Sequence, residues 1–297
     1  MRIVIAGGSG FMGDYLKQRF EEDNNNVTIL TRNPNAQENV YWDGKTIGEW
    51  TTTLENADVL INLAGKSVDC RYTKRNKNLI FSSRLESTAI LGKAISSAQN
   101  PPKLWINSST ATIYEHSLYD GNTEAVGEIG SGFSVEVAKA WEKTFFDCFC
   151  QSTRQVALRT AIVLGNKGGA FVPFKRLVKL GLGGKMSSGR QMVSWVHQED
   201  VYRAILFVMA NHNIEGVLNL SSPSPVTNGE FMQALRKEVV VPFGLPHFKP
   251  MLEIAAFFMR TETELLLKSR YVLPERLLIL GFKFKYNRLE DAIKSLV

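Results

Sequence analysis

The chain has 297 residues, 44% apolar and 22% charged, the balance of a soluble globular enzyme with one large domain or one domain and a smaller carboxyl-side companion. Three cysteines, Cys70, Cys148 and Cys150, are odd in number and lack zinc or redox spacing, which argues for a reducing compartment rather than a disulfide-stapled secreted fold. The net charge of +6 is partly local, in Arg71, Lys74, Arg75 and Lys77 and in Lys175, Arg176 and Lys179. Those clusters are either solvated helix faces or a positive field for a phosphorylated ligand, and no RNP-like or zinc-finger pattern accompanies them to suggest nucleic acid.

In chain order, Arg2 to Ala6 reads as a strand, followed by the loop Gly7-Gly8-Ser9-Gly10-Phe11-Met12-Gly13. Phe11, Tyr15, Leu16 and Phe20 then recur at helical spacing. No basic and apolar leader precedes the first strand, and runs such as Ile254 to Met259 are too short to cross a bilayer, so the expected location is cytoplasmic. Strands are predicted at Val27 to Leu30, Val59 to Leu63, Leu104 to Asn107 and Val156 to Arg159. Helices are predicted at Lys74 to Ser97, with Leu79, Ile80, Leu85, Ile90, Leu91 and Ile95 buried, and at Phe133 to Cys150. This alternation implies an α/β fold, a Rossmann-type doubly wound parallel sheet over residues 1–165. Residues 166–297 are read as a smaller substrate-side α+β region that folds back on the first. There the predicted elements are a strand at Gln191 to Val196, a helix at Gln198 to Asn211, a strand at Val217 to Leu220 and a helix at Asn228 to Val239. Leu252 to Met259 and Leu265 to Leu267 also read as helical, and Met251 to Met259 either packs on the body or meets a second subunit.

Glycines at 7, 10 and 13, between a first strand and an amphipathic helix, suit a pyrophosphate, whose oxygens need unobstructed backbone amides and the positive end of a helix dipole. After the second strand comes Thr31-Arg32-Asn33-Pro34, where an NAD-binding protein places an acid on the ribose 2′-hydroxyl. A guanidinium at Arg32 instead suits a 2′-phosphate, so NADP(H) is the expected cofactor.

With this loop, Asn62-Leu63-Ala64-Gly65 and Ser108-Ser109-Thr110-Ala111-Thr112-Ile113-Tyr114, the chain resembles the extended short-chain dehydrogenase/reductases. Ser83-Arg84, Trp141-Glu142, Arg159, Leu164-Gly165, Ser194-Trp195-Val196-His197 before Asp200, and the tail Arg270 to Phe284 resemble their atypical branch of NAD(P)-dependent sugar-nucleotide epimerase-like proteins. The resemblance implies that Gly7, Gly10, Phe11, Met12 and Gly13 cradle the pyrophosphate and that Leu63, Ala64 and Gly65 line the adenosine side. Arg84 would approach the cofactor, Thr31 would accompany Arg32, and Ser108 and Ser109 would border the nicotinamide.

The superfamily's chemistry implies a Ser or Thr and a Tyr-x-x-x-Lys pair. Thr110 matches the hydroxyl and Lys139 the lysine, but Val135 stands where the tyrosine is expected. Either another acid serves, with Tyr114, Glu136 and His197 as candidates, or substrate or water does, or the chain is a non-catalytic NADPH-binding module. Each candidate also has a structural reading: Tyr114 as a packing aromatic, Glu136 as a solvated face, His197 as a brace for the next helix, with Asp200 structural. Arg159 and Lys175 are possible phosphate holders for an anionic small-molecule substrate, and the glycines from Gly168 to Gly184 make either a mobile lid or a surface loop. His116, His197, His212 and His247 are scattered, so no metal site is expected.

Overall fold

The computed structural model describes residues 1–34, 39–247 and 268–297. The helices read at Leu252 to Met259 and Leu265 to Leu267 lie outside the described residues. Strand β1, Arg2–Ala6, alternates its side chains between two layers: Ile3 and Ile5 join one apolar cluster, Val4 and Ala6 the other. A strand buried on both faces must lie inside a sheet, and β1 does so, between β2 (Asn26–Thr31) and β4 (Val59–Asn62). The sheet continues through β3 (Asn39–Tyr41) beyond β2, and through β5 (Leu104–Thr110) and β6 (Arg154–Thr160) beyond β4. Its seventh strand, β10 (Gly216–Leu220), comes from the second half of the chain and pairs with β6, and all the pairings are parallel.

Helices cover both faces. On one, α1 (Phe11–Glu22) and α5 (Gln198–Ala210) bury Leu16, Phe20, Val201 and Tyr202, with the Phe20 and Tyr202 rings edge to face at 5.0 Å. On the other, α2 (Lys74–Ser97) and α3 (Phe133–Asp147) bury Ile90, Leu91, Ile95 and Phe145 against Trp105. The α2 stripe differs from expectation at its start: Leu79 is exposed and Leu85 half-buried, while Ser87 and Thr88 face inward. Thr88 is buried because Asn62 and Trp141 donate hydrogen bonds to its hydroxyl, so polarity marks this part of the core.

The second half departs further. The single strand expected at Gln191 to Val196 is two short ones, β8 (Met192–Val193) pairing with β11 (Val226–Thr227), and β9 (Trp195–His197) pairing with β7 (Ile162–Leu164). The break is Ser194, whose hydroxyl turns to the Arg270 carbonyl and accepts from the Val272 amide. Between the glycine runs lies an unforeseen helix, α4 (Phe171–Lys179), packed with α6 (Asn228–Val239) and the terminal helix Leu289–Lys294 around Phe231, Trp195 and Ile293. A capping box at Thr227 and Glu230 starts α6.

Candidate functional site

The crevice opens at the carboxyl ends of β1, β4 and β5, where chain order reverses from one side of β1 to the other. Gly7, at φ 71°, lies so close to the β4 end that a Cβ would sit 2.6 Å from Ala64 Cα, and a Cβ on Gly13 would strike the Gly8 carbonyl. Those two glycines are demanded by backbone contact. Gly10 differs, because a Cβ there would meet nothing, so the loop presents an open face in front of α1. No side chain caps the first turn of α1 from Gly10, which leaves the amides of Phe11 and Met12 and the positive helix end turned to that space. The Phe11 ring closes the opposite edge against Gly165 and Gly168.

Thr31, buried at the end of β2, holds Ser9 of the loop by a 3.2 Å hydroxyl–hydroxyl bond, tying β2's end to the loop. Arg32 follows it, exposed and with no ion pair among the described residues. Together these features fit a dinucleotide: a helix start without a side-chain cap for its pyrophosphate, and an exposed guanidinium beyond the next strand, without an ion pair among the described residues, for a phosphate on its adenosine ribose.

On the far side is a cavity of about 200 Å³ lined by Leu63, Ala64 and Gly65, by Ser108, Ser109, Thr110 and Thr112, and by Tyr72 and Arg84. Buried amides set its floor. Asn62 donates to Asn107 at 2.8 Å and accepts from the Ala64 amide, fixing the Leu63–Gly65 turn. Arg84 lies over the Trp141 ring at 5.1 Å and donates through Nη1 to the Lys66 and Ile80 carbonyls. Burial draws its pKa down to about 10, so it stays cationic at neutral pH. Thr110 and Thr112 share a 2.6 Å hydroxyl contact at the end of β5. Ser109 borders the cavity, but its hydroxyl is committed to Glu142 at 2.5 Å.

Helix α3 presents Phe133, Ser134, Val137 and Trp141 to this cavity. At about 100° per residue, Lys139 falls on roughly the opposite side, and its side chain is exposed. Val135 faces neither: it is 1% exposed, packed with Ala111, Ile113, Tyr114, Ala138 and Val272. Neither Val135 nor Lys139 therefore lies on the α3 face that lines this cavity. Four-residue spacing does not say which face of a helix it occupies, and the α3 residues that face the cavity include no tyrosine or lysine.

Tyr114 lies outside this cavity's lining, in the buried cluster with Val135. It is 2% exposed, its hydroxyl donates to Asn219 at 2.9 Å and accepts from Arg159 at 2.8 Å, and burial raises its pKa. Arg159 in turn grips both oxygens of Glu142, at 2.9 and 2.7 Å, so it is no phosphate holder. Lys175 is spent on the Leu296 and Val297 carbonyls. Glu136 is a solvated face residue. His197 caps α5 by accepting from the Glu199 amide, stacks on Tyr286 at 4.0 Å, and is held neutral by burial and then by Lys285, its pKa lowered to about 4. Asp200 accepts from the Lys285 and Tyr286 amides and so anchors the tail.

Neither Tyr72 nor Ser134 carries a signal in the sequence. Tyr72 sits in a loop without periodicity, and Ser134 is one of many serines; only the Trp141-Glu142 pair signalled this helix face.

The NAD dependent epimerase/dehydratase family matches residues 3–221, and a Domain of unknown function (DUF1731) matches residues 248–296. Epimerase family protein SDR39U1 of Bos taurus is 33% identical over 304 residues, covering 100% of both chains. Epimerase family protein SERP0438 of Staphylococcus epidermidis is 32% identical over 300 residues, 100% of this chain and 99% of the relative. The crystal structure of human epimerase family protein SDR39U1 with NADPH superposes with a TM-score of 0.91 at 31% identity, covering 100% of this chain and 99% of that one. A nucleoside-diphosphate sugar epimerase from Corynebacterium glutamicum gives 0.80 at 25% identity, over 99% of this chain and 57% of that one. The chain belongs to the NAD dependent epimerase/dehydratase family.

Proposed function

We propose that this chain binds NADPH across the crevice and acts as an oxidoreductase or epimerase on a small carbonyl or sugar substrate seated in the cavity beside Thr110. The observation that carries the reading is the pairing of an open Gly10 face with an exposed Arg32 beyond β2 that has no ion pair among the described residues. The likeness to a human relative solved with NADPH supports the choice of cofactor. Gly7, Gly10, Phe11, Met12 and Gly13 hold the pyrophosphate, Arg32 the 2′-phosphate, and Leu63, Ala64 and Gly65 the stretch between. NADPH, when bound, supplies the electron pair and one hydrogen that reduce a carbonyl carbon. Thr110 orients the carbonyl oxygen by hydrogen bonding, and the cationic Arg84 favours a substrate with an anionic group. The test is cofactor oxidation across a panel of carbonyls and nucleotide sugars, with Thr110→Ala slowing whichever reaction is found.

A second reading is a non-catalytic NADPH-binding module, favoured by the absence of tyrosine and lysine from the cavity face of α3. It predicts tight cofactor binding, no turnover on any panel member, and a protein partner whose affinity changes with NADPH.

A further inference from the structure

A phenol does reach the cavity, from a different element. Tyr72 lies in the loop before α2, and its Oη stands 3.5 Å from Ser134 Oγ on the cavity face of α3. Its ring is held edge to face against Phe133, with centroids 5.0 Å apart. Arg84 lines the same cavity, and its charge interacts with the Tyr72 phenol. Among the described residues, no carboxylate lines that cavity. The other cations near the phenol among the described residues are Arg71, its chain neighbour, and Lys77 of α2, whose ammonium lies over the Phe133 ring at 5.1 Å.

We infer that Tyr72 is the proton-transferring catalytic residue of this chain, with Arg84 as the positioning residue that stabilises its phenolate. A phenol beside a fixed cation is the arrangement a Tyr-x-x-x-Lys helix provides, assembled here from a loop and from α2 and brought to α3 at Ser134. This inference rests on the proposed NADPH-dependent reduction. In that reaction the Tyr72 Oη–H bond breaks and an O–H bond forms on the substrate's carbonyl oxygen, while the carbonyl carbon is reduced and the cofactor oxidised. The negative charge left on Tyr72 interacts with the Arg84 guanidinium of the same cavity until water returns a proton, and Ser134 keeps the phenol oriented by sharing a hydrogen bond. A neighbouring cation favours the ionised phenol, so the arrangement has a signature that needs neither substrate nor cofactor.

The experiment is an ultraviolet absorbance titration of tyrosinate in the cofactor-free chain. Burial raises Tyr15, Tyr114 and Tyr202, while Tyr41 and Tyr119 are 61% and 78% exposed and serve as the reference. One tyrosine is expected to ionise before that reference, to vanish in Tyr72→Phe, to merge with the reference in Arg84→Gln and to persist in Arg84→Lys. On any carbonyl the wild type reduces, Tyr72→Phe lowers kcat about 10²- to 10⁴-fold with KM nearly unchanged. A Tyr72 that ionises together with Tyr41 and Tyr119, or is indifferent to Arg84→Gln, overturns the inference; so does full turnover in Tyr72→Phe. Failure of the wild type to bind NADPH overturns the proposed function instead, and the titration distinguishes the two.

Discussion

Arg32, just beyond β2, and Arg159, in β6, are two arginines of one sheet with opposite surroundings. Arg159 is saturated: Glu142 takes two of its nitrogens and Tyr114 a third, all within a buried cluster. Arg32 is exposed, without an ion pair among the described residues, beside a loop where a Cβ on Gly10 would meet no atom of the described residues. The contrast extends to their neighbourhoods. Under α3 the polar groups satisfy one another and make structure, whereas at the glycine loop donors are left for a ligand. A charged side chain at a strand end is therefore informative only once its partners are known.

That contrast is broken most severely by removing Glu142. Glu142→Ala leaves Arg159 buried without its carboxylate, with an expected loss of about 3–5 kcal/mol in denaturant-melt stability; an unchanged midpoint would mean that the network is not structural. Next in size, Val135→Tyr forces a phenol into the cluster of Ala111, Tyr114 and Val272. It should cost about 1–3 kcal/mol and restore no turnover, because the position faces the core. Ser134→Tyr, on the cavity face, should melt closer to wild type.

His197 sharpens the comparison through pH. Its folded-state pKa of about 4 lies below the ordinary 6.5, so between those values the unfolded chain takes up a proton that the folded chain refuses. Its contribution to stability is full above about 6.5 and is lost as pH falls toward 4. A His197→Asn variant, keeping a cap for Glu199, should flatten this limb of a Tm-against-pH profile, and an identical slope would contradict the assignment. Smallest of all, Lys139→Ala should leave the melting profile unchanged within scatter.

Much of this was legible in sequence, and the exceptions share physical causes. The bounds of α2 and α6 follow from caps and apolar period, and β1 with its glycine loop from a compact apolar run. Strand β3 was not foreseen because Asn39, Val40 and Tyr41 sit at a sheet edge, none of them buried. Ser194 hides a strand break that depends on Arg270 and Val272, more than seventy residues away in sequence. The cofactor loop was readable because backbone geometry requires glycine at fixed spacing. The chemistry was less so, because a four-residue interval on a helix says nothing of which face it occupies, and Tyr72 arrives from a loop.

The central claim is that the glycine-loop side of the crevice binds NADPH through Arg32 while Lys139 takes no part. One fluorescence titration with NADPH and NADH, on wild type, Arg32→Ala and Lys139→Ala, tests both halves. NADPH preference is expected in the wild type, with a loss of about 10- to 100-fold in NADPH affinity and little change for NADH in Arg32→Ala, and wild-type behaviour in Lys139→Ala. Equal affinity for both cofactors in wild type, or a loss in Lys139→Ala matching that in Arg32→Ala, would contradict the claim.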